Sequence, residues 1–293
     1  LSLTRKKTLK TRSLQQMLPF MDATYREVLS TGKAVSNEIQ QLYDQTISIE
    51  YIPILIREKV DYLVIVPADL DALVPALESA KEAGIPVILI EQSADTIDRD
   101  LYMSRISADY LREGAICAQL LAEKYAGRSC NIVEIYGTES SPSAKARSKG
   151  FHQALKNYPQ LHIIDTEYGN FDRVTAQKAM ENALVKTSDS HKSVQAVFAH
   201  SDEDGLGALQ AIKTAGLSPN DISIVSINGI QDVCKAIIAG EYLGTVESNP
   251  KWGFIVETLI NQRERGYTPF PTVIIPYNII TEANAVSYFP TAY

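Results

Sequence analysis

Cysteine, histidine, tryptophan and surplus positive charge are all scarce in this chain, and each shortage removes a class of function. The three cysteines, Cys117, Cys130 and Cys234, form no C-x-x-C pair and no cluster of metal-binding spacing. Three is odd, so at least one thiol stays free and disulfides are not the framework; each reads as a small buried apolar residue. Cysteine usage therefore leaves the compartment open. None of the four histidines, His152, His162, His191 and His200, has metal spacing to another. Lys and Arg number 28 against 35 Asp and Glu, a net charge of −7 with a pI near 5.2. That balance argues against a general nucleic-acid binder. There is also no apolar run of membrane-spanning length and no signal-peptide core, so an exported protein is expected to have lost its leader already.

What is present is ordinary globular material in sufficient length. The 293 residues, 45% hydrophobic and 22% charged, suffice for two lobes that each bury a sheet. From residue 60 onward, short β-branched runs alternate with segments of helical period. The runs 62–66, 87–91, 132–136, 162–166, 196–199 and 222–227 read as buried parallel strands. Segments 73–83, 109–125, 143–157, 174–186, 204–215 and 232–239 read as the helices between them. Stop signals fall where those helices should end, at Gly84-Ile85-Pro86, Gly127, Tyr158-Pro159 and Gly216. Strict alternation implies an α/β fold with parallel sheets covered on both faces. The first sixty residues are less regular: a strand at 1–4, a helix at 14–29, a second strand near 34–39 and helical spacing at 47–58. No flexible linker appears, so two lobes must be joined by short crossings; the extended segment 100–107 is expected to be the first.

Ligands of open parallel sheets bind beyond the carboxyl ends of the strands. Those positions carry Glu91-Gln92, Ser140–Ser143, His200-Ser201-Asp202 and Asn228-Gly229, nearly all polar groups able to hydrogen-bond hydroxyls. Other motifs fail. Asp204-Gly205-Leu206-Gly207 lacks the third glycine of a dinucleotide fingerprint, and Gly137–Lys145 is not a phosphate-binding loop. His200-Ser201-Asp202 holds triad residue types, but strand neighbours point alternately and cannot converge. No catalytic residue, metal site or cofactor is expected.

Taken in order, Val60–Pro67, Ala83–Ile90, Ala108-Asp109 with Gly114, Asn131–Ile135, Arg147–Phe151, Ala199–Asp202, Ile227–Gly229 and Glu247–Pro250 resemble the type I periplasmic sugar-binding proteins of ABC importers. The ribose- and galactofuranose-binding branch is the group they are most similar to. The resemblance implies two Rossmann-like lobes joined by a three-segment hinge, residues 1–105 with 249–270 and residues 106–248 with 271–293. It places a helix at 251–265 in the first lobe and a C-terminal strand at 273–280 in the second. It carries over Arg12, with Thr11 where the family has an aromatic residue, and Phe171 as the remaining stacking face. Arg147 and Glu247 keep the family's residue type. Glu91-Gln92, Ser201-Asp202 and Asn228 stand where it has Asp-Arg, Asn-Asp and Asp, which implies a different ligand in the same kind of cleft. The implied activity is capture of a monosaccharide by hinge closure, without chemistry, for a membrane permease. Location would be periplasmic, or extracellular with a lipid anchor. A sensor domain of a histidine kinase, or the effector core of a LacI-type regulator, shares this architecture and stays open as an alternative.

Overall fold

The computed structural model describes residues 52–67, 70–90, 97–190 and 193–293. The elements expected at 1–4, 14–29 and 34–39 lie outside them, as do Arg12, Glu91 and Gln92. Of the expected helix at 47–58, residues 52–57 are described and helical.

In chain order the following elements are β1 (Leu63–Ile65), α1 (Leu70–Glu82), β2 (Val87–Ile90), β3 (Ser104–Ser107) and α2 (Tyr110–Tyr125). Next come β4 (Cys130–Tyr136), α3 (Pro142–Leu155), β5 (Leu161–Tyr168), α4 (Arg173–Asp189), β6 (Ala196–Ala199) and α5 (Asp202–Thr214). The last are β7 (Ser223–Asn228), α6 (Gln231–Ile238), β8 (Gly244–Glu247), α7 (Gly253–Glu264), β9 (Thr272–Ile274), β10 (Ile279–Thr281) and α8 (Ala285–Tyr288). They gather into two compact units. One holds the described residues up to Ala108 together with Lys251–Ile274; the other holds Asp109–Pro250 and Ile275–Tyr293.

Among the described residues the first unit contains a four-stranded sheet in the order β1-β2-β3-β9, parallel throughout. Every residue of β1 and β2 is buried, as expected of strands covered on both faces. Its core includes Leu63, Ile65, Leu73, Leu77, Val87 and Leu89.

The second unit contains a six-stranded sheet in the order β10-β8-β7-β6-β4-β5. Strands β4 to β8 are parallel, and β10 runs antiparallel to β8 at the edge. The all-parallel expectation is corrected there. Alternate residues feed two cores. Val133, Ile135, Val197 and Ala199 face one core with Met180, Ile212 and Ile237. Ile132, Phe198, Val225 and Ile227 face the other with Ile116, Leu121 and Phe151. Helix starts are capped by side chains: Asp109, Ser141, Asp172 and Ser201 each accept the N–H three residues on. Several helices stop at left-handed glycines, Gly84 at φ 68°, Gly216 at φ 71° and Gly240 at φ 76°.

Two further expectations are corrected. Segment 100–107 is not merely an extended crossing, since Ser104–Ser107 is a sheet strand between β2 and β9. Its serines hid it, yet Ser104 Oγ donates to the Phe270 carbonyl at 2.7 Å and Ile106 is fully buried. The single strand expected at 273–280 is two, β9 in the first unit and β10 in the second. Pro276 lies between them and has no N–H to give a ladder.

Candidate functional site

Because β4 to β8 are parallel, their carboxyl ends share one edge of the second unit's sheet. Strand order reverses at β4, which has β5 on one side and β6 on the other. A crevice forms naturally at such a switch point. The strand ends there carry Tyr136-Gly137 from β4, Gly169–Phe171 from β5 and His200-Ser201 from β6. Asn228-Gly229 from β7 and Glu247–Asn249 from β8 continue the row.

Arg147 reaches this edge from α3. Helices α2 and α3 approach backbone to backbone: a Cβ on Gly114 would lie 1.9 Å from the Arg147 carbonyl oxygen, and one on Gly150 equally close to that of Leu111. This contact seats the guanidinium inside, only 5% of the residue exposed. Nε donates to Glu113 Oε2 at 2.9 Å, Nη1 to the His200 carbonyl at 3.0 Å and Nη2 to Ser248 Oγ at 3.3 Å. The Tyr110 ring lies against its face, 5.3 Å from centroid to Cζ. Since Glu113 is itself buried, the pair is an internal one and its charges cancel within the site.

Phe171 stands in an unusual turn, with Asn170 at φ 56° and Phe171 at φ 60°. It is half-buried, its ring packed on Gly137, and its N–H is bonded to Asp204 Oδ1 at 3.0 Å. Glu247 is 6% exposed. Its Oε1 accepts from Asn249 Nδ2 at 2.9 Å, and its Oε2 from the Asn278 backbone N at 3.0 Å and from Asn278 Nδ2.

Ser201 and Asp202 face inward. Ser201 caps α5. Asp202, at the first helical position and fully buried, accepts from Ser226 Oγ (2.5 Å), Thr245 Oγ1 (2.6 Å), Gly229 N (2.7 Å) and Ile230 N (2.8 Å). Burial raises its carboxyl above the ordinary aspartate value although all four donors oppose the rise. Asn228 Oδ1 accepts the Asp202 N–H at 3.2 Å, and its backbone lies at φ 147°. Asp202 thus shapes the turn that presents Asn228.

Sequence reasoning missed the supports beneath these residues. Glu134, in the middle of β4, is bridged by two histidines: His200 Nε2 lies 3.0 Å from Oε1 and His152 Nε2 lies 2.9 Å from Oε2. Burial pushes the Glu134 carboxyl up, but the two imidazole hydrogen bonds win and hold it at about 2. The half-exposed His152 is raised by its bond to Glu134, whereas burial lowers His200. With the carboxylate accepting at Nε2, His200 is the Nε2–H tautomer; its ring lies 4.2 Å from Tyr136 and 4.9 Å from Phe198, centroid to centroid. Nothing in the sequence pairs Glu134 with His200 or Glu113 with Arg147, because each contact joins different elements. The three cysteines are free and buried. Among the described residues no group of three His, Cys, Asp or Glu could hold a metal ion. The chemistry on offer is hydrogen bonding to a polar molecule, with an aromatic face beside it.

A strand-end row of polar groups on a doubly covered parallel sheet stands where α/β proteins of this class place their ligands. The chain belongs to the periplasmic binding protein family, whose domain model matches residues 18–255. It is 39% identical over 196 residues to the galactofuranose-binding protein of Escherichia coli, covering 67% of this chain and 61% of that one. It is 32% identical over 197 residues to the ribose import binding protein of Bacillus subtilis, covering 67% and 60% respectively. The chain thus spans about three-fifths of the length of these curated relatives. Among solved structures it is similar to a galactofuranose binding protein, with a TM-score of 0.77, 33% identity and 84% of each chain covered. Equally similar, with a TM-score of 0.77 and 33% identity, is the binding protein of an arabinose ABC transporter from Shewanella sp. ANA-3 bound to L-arabinofuranose, covering 83% of this chain and 80% of that one. The parallel α/β architecture expected from the resemblance is that of these neighbours.

Proposed function

We propose that this chain is an extracytoplasmic solute-binding protein that captures a monosaccharide and delivers it unchanged to the membrane permease of an ABC importer. The observation that carries the reading is the strand-end row of the second unit, where Phe171 lies beside the topological switch point at β4 and Arg147, Asn228 and Glu247 continue the row toward β8. Relatives that share this architecture are named for galactofuranose, ribose and L-arabinofuranose. Arg147, Asn228 and Glu247 are proposed to bond the hydroxyls and Phe171 to cover a C–H face, while Ser201, whose hydroxyl is bonded to Asp204, caps α5 and Asp202 holds the Asn228 turn. Arg12, Glu91 and Gln92 are proposed to supply further contacts. The charge of Arg147 is balanced by Glu113, and Glu247 adds a second carboxylate. This supports an uncharged sugar over a phosphorylated one. The relatives are named as binding proteins, which supports binding without turnover.

A thermal-shift screen of L-arabinose, D-galactose, D-ribose, xylitol and ribose 5-phosphate tests this reading. At least one neutral compound is expected to raise Tm at millimolar concentration, and the phosphate to leave it unchanged. A panel in which no neutral sugar or polyol stabilises the protein contradicts the assignment.

A further inference from the structure

Asp204 is fully buried at the third position of α5, and its hydrogen bonds run in two directions. Toward its own helix, its N–H donates to Ser201 Oγ at 3.1 Å, and its Oδ2 accepts from the same hydroxyl at 2.8 Å. In the usual capping pair the acidic side chain at this position turns back to the cap residue's backbone N–H. Here the second oxygen leaves the helix instead. Oδ1 accepts the Phe171 N–H from the turn after β5, at 3.0 Å.

That turn needs an outside partner. A bulky aromatic residue at φ 60°, directly after an asparagine at φ 56°, occupies a region unfavourable to non-glycine residues and stays there only when its surroundings hold it. Two glycines make the holding possible. A Cβ on Gly169 would lie 2.3 Å from Asp204 Oδ1, and a Cβ on Gly137 would lie 2.2 Å from Phe171 Cζ. The carboxyl closes on the turn through the first gap, and the ring settles into the second. Burial pushes the Asp204 carboxyl up to about 8, against the hydrogen bonds from Ser201 and Phe171. Oδ1 can accept the Phe171 N–H in either protonation state.

We propose that Asp204 is a positioning residue for the ligand's aromatic platform: by accepting the Phe171 N–H it holds that ring over Gly137 at the end of β5. The proposal rests on the sugar-binding reading of the strand-end row, and the experiment separates the two. Amide hydrogen exchange at Phe171 is measured by NMR, without sugar, in wild type, Asp204→Ala and Asp204→Asn. The same proteins are titrated calorimetrically with L-arabinose and D-galactose. Asparagine keeps an oxygen that accepts the Phe171 N–H.

In Asp204→Ala the Phe171 amide is expected to exchange at least about tenfold faster, and the sugar bound by wild type to weaken by about tenfold, the scale of one lost hydrogen bond. Asp204→Asn is expected to hold both values within about threefold of wild type. Should the alanine variant not fold, Asp204→Leu, of similar shape and without an acceptor, takes its place. Unchanged exchange at Phe171 would overturn the tie, and faster exchange with unchanged affinity would overturn the positioning role. If wild type binds neither sugar, the platform role falls with the sugar reading, while the exchange rates still judge the tie by themselves.

Discussion

At the scale of single residues, the groups proposed to meet the ligand were more legible than what holds them. Asn228 sits at a strand end, where topology directs attention, whereas Arg147, Phe171 and Glu247 were legible only through the family resemblance. Their supports, Glu113, Glu134, Asp204 and the Ser226–Thr245 pair around Asp202, are set by contacts between elements, which local periodicity does not encode. Asp202 shows the difference: its position suggested a ligand group, and the fold surrounds both its oxygens with donors. The Glu113–Arg147 pair gives a direct test. Glu113→Ala leaves a buried guanidinium short of its counter-charge and is expected to lower stability by about 3–5 kcal/mol in urea unfolding. A loss under about 1 kcal/mol would mean the arginine finds water or another carboxylate instead.

The two histidines on Glu134 predict opposite pH responses. His152 is raised in the folded state, so its contribution is full below its ordinary value of 6.5 and fades as pH rises through the folded value. His200 is lowered by burial, so its contribution is present above 6.5 and is lost as pH falls. Glu134, held at about 2, stabilises above its ordinary 4.5 and loses that effect on acidification. The stability gap between wild type and His152→Leu is therefore expected to be widest near pH 5.5 and to narrow by about pH 8.5, read from urea midpoints. A gap that widens with pH would reverse the assigned pairing.

At the scale of elements, what the sequence announced was whatever it punctuated. Glycine and proline stop signals marked helix ends, and all-apolar runs marked β1, β2 and β6. Strand β3 escaped because Ser104 and Ser107 satisfy their hydroxyls inside a buried sheet, and β8 because its four residues, Gly-Thr-Val-Glu, form no apolar run. The split of 273–280 into β9 and β10 depends on which sheet each half joins, a long-range matter. The α2–α3 contact is likewise invisible to periodicity, although it seats Arg147. Gly150→Ala must force those backbones apart and is expected to cost about 1–3 kcal/mol and to weaken sugar binding. Gly253→Ala, which meets nothing within 4 Å, is expected to be neutral or to stabilise by up to about 1 kcal/mol. Equal effects of the two substitutions in thermal unfolding would contradict the close-packing account.

At the scale of the whole molecule, alternation of strand and helix conveyed the parallel α/β class before any contact was known. The ordered series of short motifs from Val60 to Pro250 conveyed the family. Individually those motifs are weak; together they mark successive strand ends of one architecture, and that is why family and fold were legible while ligand identity was not. Identity is proposed to reside in the changed positions Glu91-Gln92 and Asn228 and in the turn bonded to Asp204. The most direct test of the central claim is calorimetric titration of the purified protein with L-arabinose and D-galactose, followed by chromatography of the recovered sugar. The account predicts saturable binding at one site per chain, abolished in Arg147→Ala, with the sugar returned unaltered. Absence of binding to any neutral monosaccharide, or recovery of a converted product, would contradict it.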